Sequence, residues 1–212
     1  MTATIITVAQ QKGGAGKTTL AAHLAVAFTA MNKRVVAVDI DPQQSLSRWY
    51  GVRRDRMDGA AAGVLVSAIE GWRARVEVDR AAAGHDVVII DSPPHAETEA
   101  RIAIRAAHLV VVPVQPSPMD LWATRPTLEL AAAERVPALL VFNRVLPRAK
   151  LTEAMEAQAK QLGARIARAR LGNRVAFAAA LAEGKAVGET QPRGRAAQEI
   201  AALAREVLRT AR

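Results

Sequence analysis

Four short runs in this chain are apolar with no alternation: Val35–Val38, Val87–Ile90, Leu109–Val114 and Ala138–Phe142. A strand with one wet face alternates apolar and polar residues. A strand without alternation is buried on both faces, which calls for a parallel sheet covered by helices on each side. Ile5–Ala9 reads as a further strand and Arg165–Leu171 as a less regular one. Between them, Leu20, Leu24, Ala27 and Phe28 recur at helical spacing, so Thr18–Met31 is predicted helical. Ala196–Arg212 places Ile200, Leu203, Val207 and Leu208 on one face, as a terminal helix packed on the sheet would; a membrane-binding tail would carry bulky aromatics there. Arg53–Gly63, charged and then small, is predicted to be a surface loop. The expectation is an α/β fold: a single doubly wound, mainly parallel sheet with helices on both faces. The 212 residues suit one domain spanning 1–212.

Polar residues gather where these strands end: Gln10 to Thr19, Asp39 to Gln44, Asp91 to Pro94, Gln115 to Asp120, and Asn143-Arg144. Open α/β sheets bind ligands outside the carboxyl ends of their strands, so these five segments are candidates for one site.

The first of them contains Lys12-Gly13-Gly14-Ala15-Gly16-Lys17-Thr18-Thr19, set between a strand and a helix. Glycines there let the backbone turn and aim successive N–H groups at phosphate oxygens, and the following helix adds the positive end of its dipole. Lys17 can reach the β- and γ-phosphates, and the Thr18 hydroxyl can ligate Mg²⁺. The usual phosphate-loop pattern starts with a glycine at what is here Gln11; this loop opens instead with a second lysine, Lys12. Asp39-Ile40-Asp41-Pro42 follows one strand and Asp91-Ser92-Pro93-Pro94 another. A carboxylate at a strand end beside a γ-phosphate can position water or hold a metal, although an Asp-Pro turn or a lone strand-end Asp is also common. Pro113-Val114-Gln115-Pro116-Ser117-Pro118-Met119-Asp120 is either a rigid loop or an interface element.

The Lys-Gly-Gly-x-Gly-Lys-Thr-Thr loop with these acidic segments resembles the deviant Walker-A family of P-loop NTPases, which includes ParA, MinD and the nitrogenase iron protein. The resemblance covers nearly the whole chain and is nearest to short plasmid-partition ParA proteins such as ParF. It implies an ATPase using ATP and Mg²⁺. By it, Lys12 reaches across a dimer interface to the opposite subunit's phosphates, Asp41 positions the attacking water, and Asp39 and Asp91 join Thr18 around Mg²⁺. Residues 12–19 would hold the phosphates, Asn143 and Arg144 the base, and Gly188–Arg193 would close over it. Implied partners are a second copy, nonspecific DNA and a ParB-like adaptor that stimulates hydrolysis, with no membrane. The implied cargo is a plasmid; the alternatives are a protein body such as a carboxysome or chemoreceptor cluster and, more distantly, dethiobiotin-synthetase-like metabolism.

Charge and composition narrow this. Residues 141–212 hold 14 Lys and Arg against 6 acids, a net of +8, whereas residues 1–140 are near neutral. No acid lies between Glu156 and Glu183, where Arg165, Arg168, Arg170 and Arg174 occur. In a strand Arg168 and Arg170 would share a face. Such a patch suits DNA phosphates, the competing reading being arginines paired elsewhere or merely solvated. The chain has no cysteine, which removes iron–sulfur relatives. Its opening lacks the basic start of a secretion signal, so a cytoplasmic, nucleoid-associated protein is expected.

Overall fold

The computed structural model describes residues 3–57, 63–69, 74–94, 97–147 and 150–211. Among them, seven strands form one sheet in the order β3-β2-β4-β1-β5-β6-β7. The strands are β1 (Thr4–Val8), β2 (Val35–Asp39), β3 (Val64–Ala68), β4 (Val87–Asp91), β5 (Leu109–Val114), β6 (Ala138–Phe142) and β7 (Arg165–Ile166). Every pairing is parallel. The chain therefore winds outward from β1 in both directions, as the unalternating apolar runs require.

Each strand feeds two cores. Ile6 and Val8, Val35 and Ala37, Val87 and Ile89 point to one face. Ile5, Val36 and Val38, Val88 and Ile90 point to the other. The first face is covered by α1 (Lys17–Thr29), α2 (Ser45–Arg56), α8 (Val175–Ala182), α9 (Val187–Thr190) and α10 (Arg195–Thr210). The second is covered by α3 (Ala74–Gly84), α4 (Glu97–Ala106) and α6 (Arg125–Ala133). A smaller cluster joins Val114, Leu140 and Phe142 to Leu121 of α5 (Pro118–Trp122) and Met155 of α7 (Lys150–Lys160). Ile200, Leu203 and Val207 of α10 are buried on the α1 side, so the predicted apolar stripe is core.

Three expectations are corrected. β3 has no counterpart in the sequence reading, because an edge strand with Ser67 and a 44% exposed Leu65 lacks the apolar signature of its neighbours. Arg165–Leu171 is a strand only over Arg165–Ile166 and then runs as loop beside β6. The predicted loop from Arg53 begins inside α2, and Arg53 is fully buried. Its guanidinium bonds Glu189 through both terminal nitrogens, at 2.9 and 2.7 Å, and the Gly184 carbonyl at 3.0 Å, so a charged residue that reads as surface is a pillar between α2 and α9. The rest of that predicted loop, 58–62, lies outside the described residues.

Candidate nucleotide site

Register brings the acidic segments together. Asp39 pairs with Asp91 across β2 and β4, and Val8, the last residue of β1, pairs with Asp91 on the other side. Neighbouring strands are about 4.8 Å apart, so both carboxylates and the start of the glycine loop occupy one edge of the sheet. Gly16 caps α1 with φ of 94°, a left-handed conformation that glycine adopts without strain. A side chain there would also strike Asn143, whose Nδ2 would lie 2.6 Å from the new Cβ.

Lys17 is buried, and burial lowers its pKa, the Asp91 and Asp41 carboxylates pulling it back up. Asp91 is buried, and neither of its carboxylate oxygens has a hydrogen-bond partner of normal geometry. Burial pushes its carboxyl up to about 7; the Thr18 hydroxyl and Lys17 oppose that, while Asp39 and Asp41 add to it. A buried, unpartnered carboxylate beside a threonine hydroxyl fits Mg²⁺, a hard cation that takes oxygen ligands. Asp39 is held differently: one oxygen accepts from the Ser47 amide (2.9 Å) and hydroxyl (2.7 Å), the other from the Asp41 amide (3.2 Å). Asp41 accepts from the Gln43 amide at 2.9 Å, fixing its loop as a tight Asx turn.

Beyond Gly16 a cavity of about 280 Å³ opens, lined by Thr19, His23, Asn143, Arg144, Arg174 and Phe177 among others. Asn143 donates to the Ala15 carbonyl and accepts from the Arg144 amide, both at 2.9 Å, so its amide braces the loop as well as walling the cavity. His23 reaches the Phe177 carbonyl through Nε2 (3.2 Å) and accepts the Val187 amide at Nδ1 (3.3 Å), which fixes the neutral tautomer with its proton on Nε2. Burial drives its pKa down to about 4 against the opposing pull of the Phe177 carbonyl and Glu189. Its ring meets Phe177 edge-on, centroids 5.2 Å apart.

The glycine loop, Lys17, Thr18, Asp39, Asp41, Asp91 and the Asn143-Arg144 pair thus converge as the sequence suggested. Ser47, His23 and Phe177 carry no local signal and are recognised only by their contacts. Lys12 does not point into the cradle: its Nζ lies 2.9 Å from Asp120 Oδ2.

A family model described as the CobQ/CobB/MinD/ParA nucleotide binding domain matches residues 6–187. The chain belongs to this family. It is a nucleotide-binding ATPase of this family; the MinD of Pyrococcus horikoshii, similar in fold with a TM-score of 0.80 at 21% identity, is a complex with Mg-ADP. The chain is similar to "Maintenance of carboxysome distribution protein A" of Halothiobacillus neapolitanus, 32% identical over 210 residues that cover 96% of this chain and 95% of the relative. It is also similar to the chromosome-partitioning ATPase Soj of Thermus thermophilus, 31% identical over 235 residues, covering 96% and 94%. In fold it resembles apo McdA of Cyanothece, with a TM-score of 0.79 at 19% identity over 97% of this chain and 99% of that one. Among the described residues no helix is long and apolar enough to cross a membrane.

The basic segment is rearranged relative to the sequence reading. Arg170 pairs with Glu156 at 2.6 Å, and Arg174 pairs with Glu199 at 2.6 Å and lines the cavity. These four arginines are therefore not one unopposed patch, because Glu199 is brought in by α10 and Glu156 by α7. Arg165 and Arg168 are exposed with no ion pair among the described residues, and so are Arg205 and Arg209 of α10. Glu206, between the last two, bonds the Arg168 backbone amide at 3.0 Å and so brings that loop to α10.

Proposed function

We propose that this ATPase is a positioning protein that dimerises around ATP, binds DNA without sequence preference, and distributes a protein cargo of the carboxysome kind. The observation that carries the choice of cargo is the match to the carboxysome-distribution protein over almost all of both chains. It favours a protein cargo over the plasmid that the resemblance to short partition ATPases first suggested. The match to Soj is of similar extent and supports the shared ATPase and partition chemistry rather than one cargo.

In this reading Lys17, Thr18 and the loop amides hold the triphosphate, Asp91 and Thr18 face Mg²⁺, and Asp41 orients water. Bound Mg²⁺ neutralises charge shared between the β- and γ-phosphates. Lys12 acts on the opposite subunit's nucleotide, so hydrolysis requires assembly. A separate adaptor links the dimer to cargo and stimulates hydrolysis. The DNA surface is the Arg165–Arg168 segment with Arg205 and Arg209, Arg170 and Arg174 being engaged elsewhere. Doubling this surface in a dimer makes the second contact intramolecular and raises apparent affinity roughly 10²-fold where geometry allows.

Deleting the gene in its native host tests the cargo. Clustering of a protein body with unchanged plasmid inheritance is expected; plasmid loss with normally spaced bodies would overturn the choice. Gel shifts on unrelated duplexes test the surface. Arg168→Glu/Arg205→Glu should abolish ATP-dependent binding while light scattering still shows a dimer, and wild-type binding by this variant would move the DNA surface elsewhere.

A further inference from the structure

The helix that follows the acidic loop is fastened at both ends. At its start α2 holds the carboxylate segment: Asp39 accepts from the Ser47 amide and hydroxyl, and the Asp41 carbonyl accepts from the Gln44 amide at 2.8 Å. Further along, Trp49, Arg53 and Arg56 recur at helical spacing, and all three reach the end of α8 or the turn after it. The Trp49 indole donates to the Lys185 carbonyl at 3.4 Å, Arg53 to the Gly184 carbonyl at 3.0 Å and Arg56 to the Ala182 carbonyl at 3.3 Å. The approach is backbone to backbone: Gly184 has φ of 71°, and a Cβ there would lie 2.5 Å from the Arg53 backbone nitrogen. Glu189, which takes both terminal nitrogens of Arg53, also accepts from the Ala186 amide at 2.8 Å, so the clamp closes on α9. Burial opposes the Glu189 charge, but the bonds from Arg53 and the Ala186 amide outweigh it and hold the carboxyl below its ordinary range. In turn α9 touches the cavity, its Val187 amide donating to His23, which lines that space beside Phe177.

We propose that Arg53 is a positioning residue for hydrolysis: by clamping α2 to the α8–α9 turn, it fixes the Asp39–Asp41 loop relative to the cavity that seats the base. The inference rests on the reading of Asp41 as the residue that orients water. The case begins with the choice of a buried ion pair. Apolar side chains of similar volume would pack between α2 and α9 at least as stably, because taking two charges out of water offsets much of their attraction. What the pair adds is direction. A guanidinium bonded through two nitrogens to one carboxylate tolerates little rotation or sliding, whereas apolar contacts tolerate both. The Arg53 side chain is fully buried and meets Glu189 at 2.7 Å, so water does not loosen the pair. With its far half held this way, α2 cannot turn about its axis, and its first turn presents Ser47 to Asp39 at one setting. Hydrolysis depends on where the carboxylates of this loop sit, so the setting of α2 enters the rate although Arg53 touches no reacting atom.

Single-turnover hydrolysis and calorimetry on four proteins test this: wild type, Arg53→Met/Glu189→Gln, Asp41→Ala and the combination of all three changes. The Arg53→Met/Glu189→Gln protein leaves no buried charge unpaired, and its glutamine can still accept from the Ala186 amide. It should lower the hydrolysis rate on the order of 10-fold, short of the roughly 10²-fold that a misplacement of about 1 Å costs, while the Kd for ATP stays within about 3-fold because the groups touching phosphate are kept. In the Asp41→Ala background the same two changes should leave the residual rate unaltered, since Arg53 acts through that loop. Arg53→Lys, which keeps the charge and loses the paired geometry, should slow hydrolysis roughly 3-fold and serves if the doubly changed protein does not fold. Wild-type rates in Arg53→Lys and Arg53→Met/Glu189→Gln, a loss of ATP affinity as large as the loss of rate, or an equal loss of rate with and without Asp41 would each overturn the proposal, the last by showing a merely structural role. An Asp41→Ala protein that hydrolyses as wild type would instead overturn the catalytic reading beneath it.

Discussion

In the proposed reading the nucleotide cleft has a phosphate end and a base end, and the two are built on opposite plans. At the phosphate end charges are buried and left incomplete: Lys17 is pulled down by burial, and Asp91 has no hydrogen-bond partner of normal geometry for either oxygen. At the base end the polar groups are spent within the protein: both groups of the Asn143 amide, both ring nitrogens of His23 and the Arg174 guanidinium all have partners. An incomplete end gains on binding what folding withheld from it, because unsatisfied buried charge is expensive. A satisfied end gains little from new hydrogen bonds and recognises its ligand by fit and apolar contact. Affinity and catalysis should therefore reside at the phosphates, and the base should act mainly as a handle.

Substitutions can break this contrast, and the largest effect should be catalytic. Asp41→Ala should bind ATP nearly as wild type yet hydrolyse it on the order of 10²-fold or more slower, the usual size of losing a positioned proton acceptor. Single-turnover phosphate release checks this, and a wild-type rate would remove Asp41 from catalysis. Lys17→Ala should weaken ATP binding on the order of 10- to 100-fold in calorimetry, as expected for a lost charge-assisted contact. Affinity unchanged by that substitution would mean that the base end carries binding after all.

The third prediction concerns pH and the base end. His23 has a pKa near 4 in the folded chain against an ordinary 6.5, so folding favours the neutral ring. Its contribution to stability is complete above pH 6.5 and is lost as pH falls towards 4, by about 3 kcal/mol in full. His23→Gln should flatten the urea midpoint across that window, and a slope identical to wild type would show that other groups cause it. The smallest effect should come from Phe177→Leu, which removes the edge-on ring contact with His23, worth about 0.5–1.5 kcal/mol, while keeping an apolar side chain in the core and cavity wall. ATP affinity should fall only a few-fold.

The same contrast explains what the sequence could tell. The phosphate end was legible because each of its parts is contiguous: a loop of eight residues from Lys12 to Thr19, and two acidic segments that open where apolar runs stop. Strand register then brought Asp39 and Asp91 side by side. The base end is made by pairings without local trace, such as His23 with the Val187 amide 164 positions away and Arg174 with Glu199. The same blindness made the arginines look unopposed and Arg53 look like surface, since the acids that answer them come from other elements. Lys12 was identified by its place in the loop, but its tie to Asp120 spans two elements and could only be seen in three dimensions.

The packing of α10 on the α1 face bears on how the protein is made. Ile200 lines the base cavity, and Leu203 and Val207 complete the core beneath the helix that carries Lys17 and Thr18. A chain leaving the ribosome makes its phosphate loop well before α10, the last wall of its cleft. Nucleotide binding should therefore come with completion of this domain, so that an unfinished polypeptide is not recruited into assembly.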